Sequence, residues 1–446
     1  MPDRLPPEVP PAAEGLLAGA WGRPVHLRGW EPLNAGKVYR CCCEPAGSQI
    51  PTSGPQAAGP QQAAGPHPAA DPPHRPGPQP PAASVIVKIA RREQSGVAYD
   101  PDAPGPNPAR RFFGEWAALE FLSTWPGLAP RFYGGDRVAG VVVLEDHGPG
   151  PRLTEVLMNG GEQAAREALV AYAAALARVH AATSGREADY ARLRRRLGPE
   201  ALQGDAQAWR GLCEDLLPEL RAGLAAVGVE AAPGFEDEYA EALAAVRAPG
   251  PFAALTQCDA CPDNCRVEGG VPLLLDFERA GYHHALIDAA CAPLCFPSCG
   301  HALRIPDEVI AAMSAAYRAG FAPACPAAAD DARFGREMAR VCAYWLMSNG
   351  NWLLGEAVAG DATWGFATWR QRVVTRLDLF ARLAAPHLPA MGLTAERCVD
   401  RARRLWPESV AGLSVYPAFR PATGACDRAS DRPPGASRRS GRSRIV

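Results

Sequence analysis

Residues 255–264 read Leu-Thr-Gln-Cys-Asp-Ala-Cys-Pro-Asp-Asn, and residues 273–278 read Leu-Leu-Leu-Asp-Phe-Glu. Asp259, Asn264 five positions on, and Asp276 at the end of an apolar run make a set of hard oxygen donors. Such donors suit a hard divalent cation, and a carboxylate can also orient an attacking hydroxyl. Those are the parts phosphoryl transfer asks of a protein, because the reaction needs positioning and charge neutralisation more than covalent help. The five-residue gap lets one loop set a base, Asp259, and a metal ligand, Asn264, at opposite ends of a reacting phosphate. An intervening turn and strand would bring Asp276 alongside as the second metal ligand. Taken singly, the same residues have plainer uses. Asp and Asn at this spacing serve as turn residues, and Asp-Phe-Glu after an apolar run serves as a helix N-cap.

The elements that must position these groups can be read from periodicity. Residues 25–30, 37–43 and 84–89 are strand-like, and the β-branched run 84–89 carries Lys88. It is expected to pair with 37–43. Residues 110–125 have helical spacing, with Phe113, Trp116, Ala117 and Phe121 on one face and Glu115 between them. A strand over 138–144 stops at Glu145-Asp146-His147-Gly148. Helices follow over 162–180, 206–227 and 236–246, then a short strand at 271–275, then helices from 305 onward, including 334–352 and 364–385. A small β-rich lobe with one main helix ahead of a larger helical lobe is an α+β, two-lobed architecture. The expected division is a flexible N-terminus at 1–20, an N-lobe at 21–148, a helical C-lobe at 149–415 and a basic tail at 416–446. Gly and Pro number 44 and 46 and are concentrated unevenly. Residues 44–83, rich in Pro, Ala, Gly and Gln, are expected to be a disordered insertion between two strands.

A formal net charge of −2 gives no global field toward nucleic acid or an anionic membrane. No secretory leader or bilayer-length apolar run is legible, so a cytoplasmic setting is expected. The 14 cysteines include Cys258, Cys261 and Cys265 around Asp259, and Cys291, Cys295 and Cys299 at four-residue intervals. Cys258 and Cys261 make only one half of a paired C-x-x-C metal site, so the cysteines are read as small buried hydrophobes rather than zinc or iron–sulfur ligands.

The stretch around Asp259 resembles the catalytic loop and metal motif of the aminoglycoside phosphotransferase and choline kinase superfamily, which has a protein-kinase-like fold. There the loop reads His-Gly-Asp-x-x-x-x-Asn and the metal motif Asp-Phe-Glu. The resemblance implies that Asp259 is the catalytic base and that Asn264 and Asp276 are metal ligands. Gln257 and Cys258 stand where that family has His and Gly. Lys88 would contact the ATP phosphates and Glu115 would pair with it. Gly36 would lie in the turn covering the phosphates, and Glu145, Asp146 and His147 would form the hinge whose backbone holds adenine. Asp288, in Ile287-Asp-Ala-Ala290, would brace the loop. The implied function is ATP- and Mg2+-dependent transfer of the γ-phosphate to a hydroxyl of a small molecule. A catalytically inactive kinase-like nucleotide-binding or scaffold protein is the alternative.

Overall fold

The computed structural model describes residues 5–34, 37–45, 83–94, 96–103, 108–198, 215–348, 354–409 and 411–420. Gly36, residues 46–82 of the insertion and residues 421–446 of the tail lie outside the described residues. The chain divides into two compact units, Met1–Pro149 with Asp189–Leu202, and Gly150–Ala188 with Gln203–Val446.

The first unit is built on a five-stranded antiparallel sheet. Its spatial order is Val25–Asn34, Val38–Pro45, Ser84–Ile89, Val141–Glu145, Phe132–Asp136. Ser84–Ile89 is the middle strand, with Lys88 opposite Val38 on one side and Val142 on the other. Alternation sets its faces: Val85, Val87 and Ile89 are buried on one, and Lys88 points to the other. The buried face is covered by the helix Val9–Trp21, whose Val9, Ala13, Leu17 and Trp21 join the same core. Of the residues expected to be a flexible N-terminus, 9–20 therefore lie in a helix. Two prolines at its first positions fit a helix start, and Gly22 closes it at φ 68°. Burying each large apolar side chain of that stripe contributes about 1.5–3 kcal/mol, enough to order a segment that composition alone makes look loose.

The helix Ala109–Leu122 is buried nearly all round, wider than the one-faced stripe the sequence suggests. Its Trp116 lies flat against Gly135, where an added Cβ would sit 2.6 Å from the indole ring. That close approach requires glycine in the strand Phe132–Asp136, a strand that periodicity does not reveal. The helix Glu187–Leu197, expected with the helical lobe, belongs largely to the first unit, where Tyr190 packs on Phe121.

The second unit is mainly helical, with short two-stranded antiparallel sheets, two of which frame the loop around Asp259. Ala253–Thr256 pairs with Gly281–His284, and Cys265–Glu268 pairs with Val271–Leu274. The segments 257–264 and 275–280 run between these paired strands, so both ends of each are fixed. The long helix Glu162–Thr183 packs along Asp307–Phe321. Tyr416, placed by sequence at the start of a solvated tail, is fully buried and donates to the His301 carbonyl at 3.0 Å. Among the described residues no helix is long and apolar enough to cross a membrane.

Candidate active site

In the first unit the Lys88 ammonium donates to Glu115 Oε1. Their side chains are 18% and 8% exposed, so a strand lysine and a helix glutamate are held as a largely desolvated pair. Asp146 is used as a brace. It accepts from Arg40 Nε at 2.7 Å, Ser84 Oγ at 2.7 Å and the Gly148 amide at 2.9 Å. Burial alone would raise its pKa, but these donors outweigh that and hold it below the usual carboxylate range. Its carboxylate thus ties the first residues after the strand Val141–Glu145 to the adjacent strand Ser84–Ile89 and to Val38–Pro45 beyond it. His147 Nε2 lies 3.2 Å from Glu145 Oε2, and that contact is the main cause of a lowered Glu145 pKa.

In the second unit the loop around Asp259 is fastened from below by Asp288. Asp288 Oδ2 accepts the Gln257 amide at 2.7 Å and Oδ1 accepts the Cys258 amide at 2.9 Å. His180 Nε2 lies 3.1 Å from Asp288 Oδ2, and His180 Nδ1 lies 2.8 Å from the Tyr317 hydroxyl. All of these groups are buried, so few orientations satisfy them together. Tyr317 carries no sequence signal for this role: it sits 137 positions from His180 in an ordinary amphipathic helix.

Asn264 Nδ2 donates to the Asp259 carbonyl at 3.0 Å, and the Asn264 carbonyl accepts the Leu275 amide at 2.8 Å. The same residue therefore closes the loop on Asp259 and pins the segment that leads into Asp276. Both Cys258 and Asp276 have φ of 59°, the left-handed region that favours glycine, at a cost of about 1–2 kcal/mol each. The superfamily's Gly at the Cys258 position fits that geometry. Here the buried Cys258 Sγ sits 2.9 Å from Thr256 Oγ1 instead. Gln257 donates from Nε2 to the Leu275 carbonyl, a further link between the two loops.

Desolvation is the main reason the Asp259 pKa is raised, with Asp276 and Glu278 adding to it and Arg279 and Ser298 opposing. Asp259 and Asp276 thus feel each other electrostatically, as two carboxylates around a shared cation do. The structure brings Asp259, Asn264 and Asp276 together in one unit and Lys88, Glu115, Glu145, Asp146 and His147 in the other.

Residues 84–330 match the model of the phosphotransferase enzyme family. The chain belongs to that family. Its α+β fold is the protein-kinase-like one that the resemblance implied. No curated protein matches the sequence. Among solved structures, the macrolide 2'-phosphotransferase from Brachybacterium faecium is 15% identical, covering 77% of this chain and 95% of that one, with a TM-score of 0.35. A choline/ethanolamine kinase family protein from Mesorhizobium loti is 17% identical, covering 74% and 86%, with a TM-score of 0.34. A choline kinase from Streptococcus pneumoniae is 10% identical, covering 86% and 94%, with a TM-score of 0.35. At those scores the likenesses add nothing to the fold of this phosphotransferase-family chain, which rests on its own elements and the family match.

Proposed function

We propose that this phosphotransferase-family protein is a small-molecule kinase, moving the γ-phosphate of ATP to a hydroxyl with Mg2+ as cofactor. The observation that carries the reading is the Asp259–Asn264 loop, fixed by Asp288 and tied to the segment that ends in Asp276. The donor set fits a hard cation: Asn264 commits its Nδ2 to a carbonyl, which leaves its Oδ1 as an acceptor, and Asp276 supplies a carboxylate. Asn264 and Asp276 would hold the ion, which when bound neutralises phosphate charge. Asp259 accepts the hydrogen bond of the acceptor hydroxyl, aligns its oxygen and takes up its proton as the new O–P bond forms and the bond from the γ-phosphorus to the bridging oxygen breaks, with ADP leaving. Its raised pKa keeps it a better base than an exposed carboxylate. Lys88, oriented by Glu115, contacts the phosphates, and backbone groups of 144–148 receive adenine.

The helical unit would bind the acceptor, for which an amino alcohol, an aminoglycoside-like sugar and another small metabolite are the candidates. Magnesium-dependent ATP turnover across a library of such hydroxyl compounds tests the reading, with mass spectrometry of any co-purified ligand to narrow the library. Nucleotide binding without turnover on any acceptor would favour the inactive scaffold instead.

A further inference from the structure

Beside the Asp259 loop, two short arms of the chain converge. One is Cys261-Pro-Asp263 and the other is Cys299-Gly-His301. Cys261 and Cys299, 38 positions apart in sequence, have Cα atoms 5.5 Å apart and are joined as a disulfide. Asp263 Oδ2 faces this pair, 3.9 Å from Cys261 Sγ and 3.8 Å from Cys299 Sγ. The possible ligand atoms of Cys261, Asp263 and Cys299 all lie within 4.8 Å of one another. His301 Nδ1 bonds to the same Asp263 Oδ2. Two sulfurs and a carboxylate oxygen thus point into one small volume, with the His301 imidazole bonded to that carboxylate, and no step proposed above uses any of them.

We propose that, with the disulfide reduced, Cys261, Asp263, Cys299 and His301 form a binding site for a thiophilic divalent cation of the zinc type. Two thiolates and one carboxylate are already gathered, and the His301 imidazole, held on Asp263, would turn in as the fourth ligand of a tetrahedral centre, in which the sulfurs part to about 3.8 Å around metal–sulfur bonds of about 2.3 Å. The arms are held in advance. Asp263 Oδ1 accepts from Thr154 Oγ1 at 2.5 Å, which turns Oδ2 toward the sulfurs. Arg372, itself buried, donates to the Cys299 carbonyl at 2.9 Å and the Gly300 carbonyl at 2.5 Å. Gly365, at φ 62°, lies so close to the Gly300 backbone that a Cβ there would collide with the Gly300 carbonyl oxygen. The Tyr416 hydroxyl holds the His301 carbonyl. The two cysteines are 6% and 2% exposed, whereas the Asp263 and His301 side chains are 31% and 45% exposed, so the site has a dry sulfur end and an open entrance.

The chemistry balances with a small-molecule thiol as reductant. The S–S bond breaks, both protein sulfurs become thiols, and the reductant leaves as its own disulfide. Binding the cation then releases one proton from each thiol to solvent as two metal–sulfur bonds form. Disulfide and metal centre are alternative states of the same residues. The proposal is independent of the phosphotransfer reading, since it uses none of Asp259, Asn264 and Asp276.

The test uses the full chain, reduced with a phosphine, stripped of metal, passed through gel filtration and titrated with Co(II). The expected result is a thiolate-to-cobalt band in the near ultraviolet with visible bands of a tetrahedral ion, saturating at about one ion per chain and bleached by Zn(II). Cys299→Ser should abolish the bands. Asp263→Asn and His301→Ala should each weaken Co(II) binding roughly tenfold or more. Exposed Cys42, in a different unit, serves as control, and Cys42→Ser should change nothing. No visible bands from folded, reduced wild type, or bands that survive Cys299→Ser, would overturn the proposal. If Cys299→Ser does not fold by circular dichroism, wild type decides the matter. Zn(II) should slow alkylation of Cys261 and Cys299 in the reduced protein, read by peptide mass spectrometry, and equal rates with and without Zn(II) would overturn it.

Discussion

Lys88 and Glu115, 27 positions apart, meet as a strand-to-helix ion pair, ammonium against Oε1, with little of either side chain in water. If the pair exists to present the lysine to phosphate, its two halves should differ in effect. Lys88→Met should lower turnover by about 10²-fold, the scale of losing a positioned charged donor. Glu115→Gln keeps shape and should cost less, about tenfold, through poorer placement of Lys88. Steady-state kinetics with ATP varied would read both. Equal and full activity of the two variants would remove them from the site.

Asp259 carries two linked expectations. Asp259→Asn should cut turnover by roughly 10²-fold or more while leaving ATP affinity within a few-fold. The same change should stabilise the fold. Burial raises the folded-state pKa of Asp259 above the ordinary unfolded value of about 3.9. The folded state therefore holds the proton more tightly, and the stability this gives is present below about pH 3.9 and lost as pH rises through the folded pKa. In metal-free buffer at neutral pH the Asn variant should melt higher than wild type, and the gap should close on acidification. A variant that melts lower at neutral pH would contradict the assigned burial.

Asp276→Ala should act on the other substrate. It should weaken magnesium-dependent ATP binding and abolish turnover, while ATP binding without magnesium changes little. Calorimetry with and without magnesium separates these effects. Unaltered magnesium dependence would sink the metal assignment.

Asp288 is expected to matter for stability first. Asp288→Ala strips the acceptor from two buried amides and the partner from buried His180. Breaking such a network should cost about 3–5 kcal/mol, read by urea unfolding. Asp288→Asn keeps one acceptor oxygen and should cost less. A loss under about 1 kcal/mol for the alanine variant would mean that the loop is held elsewhere.

The insertion should be dispensable. Its flanks are already side by side: Cys42 pairs with Ser84, and the Cys43 amide donates to the Ala83 carbonyl at 2.9 Å. Loop closure costs only about 0.6 kcal/mol per doubling of length, so the strands do not need it. Replacing residues 47–80 with a short Gly/Ser turn should preserve the melting temperature and nucleotide binding. Insoluble product would show that those residues do more than connect.

The sequence by itself determined what local pattern encodes. A β-branched run marked 84–89 as a strand, and the two-residue repeat of the folded strand puts Lys88 on the face opposite Val85, Val87 and Ile89. Helical spacing marked Glu162–Thr183 and Ala109–Leu122 within a few residues. The short interval from Asp259 to Asn264 was legible because both sit on one loop, where spacing in sequence and distance in space nearly coincide.

Tertiary structure decided everything that depends on contacts between distant segments. Residues 1–20 look loose because Pro, Gly and Ala dominate their composition, yet Val9, Ala13 and Leu17 become ordered once a sheet offers them a face to cover. The strand Phe132–Asp136 hides behind two glycines, which only the approach of Leu16 to Gly134 and of the Trp116 indole to Gly135 explains. Tyr317 reaches His180 across 137 positions, and Cys299 reaches Cys261 across 38. Periodicity is a statement about one element and one face. Which face meets which is settled by burial and by the need to satisfy every buried polar group, and those conditions exist only in the folded chain.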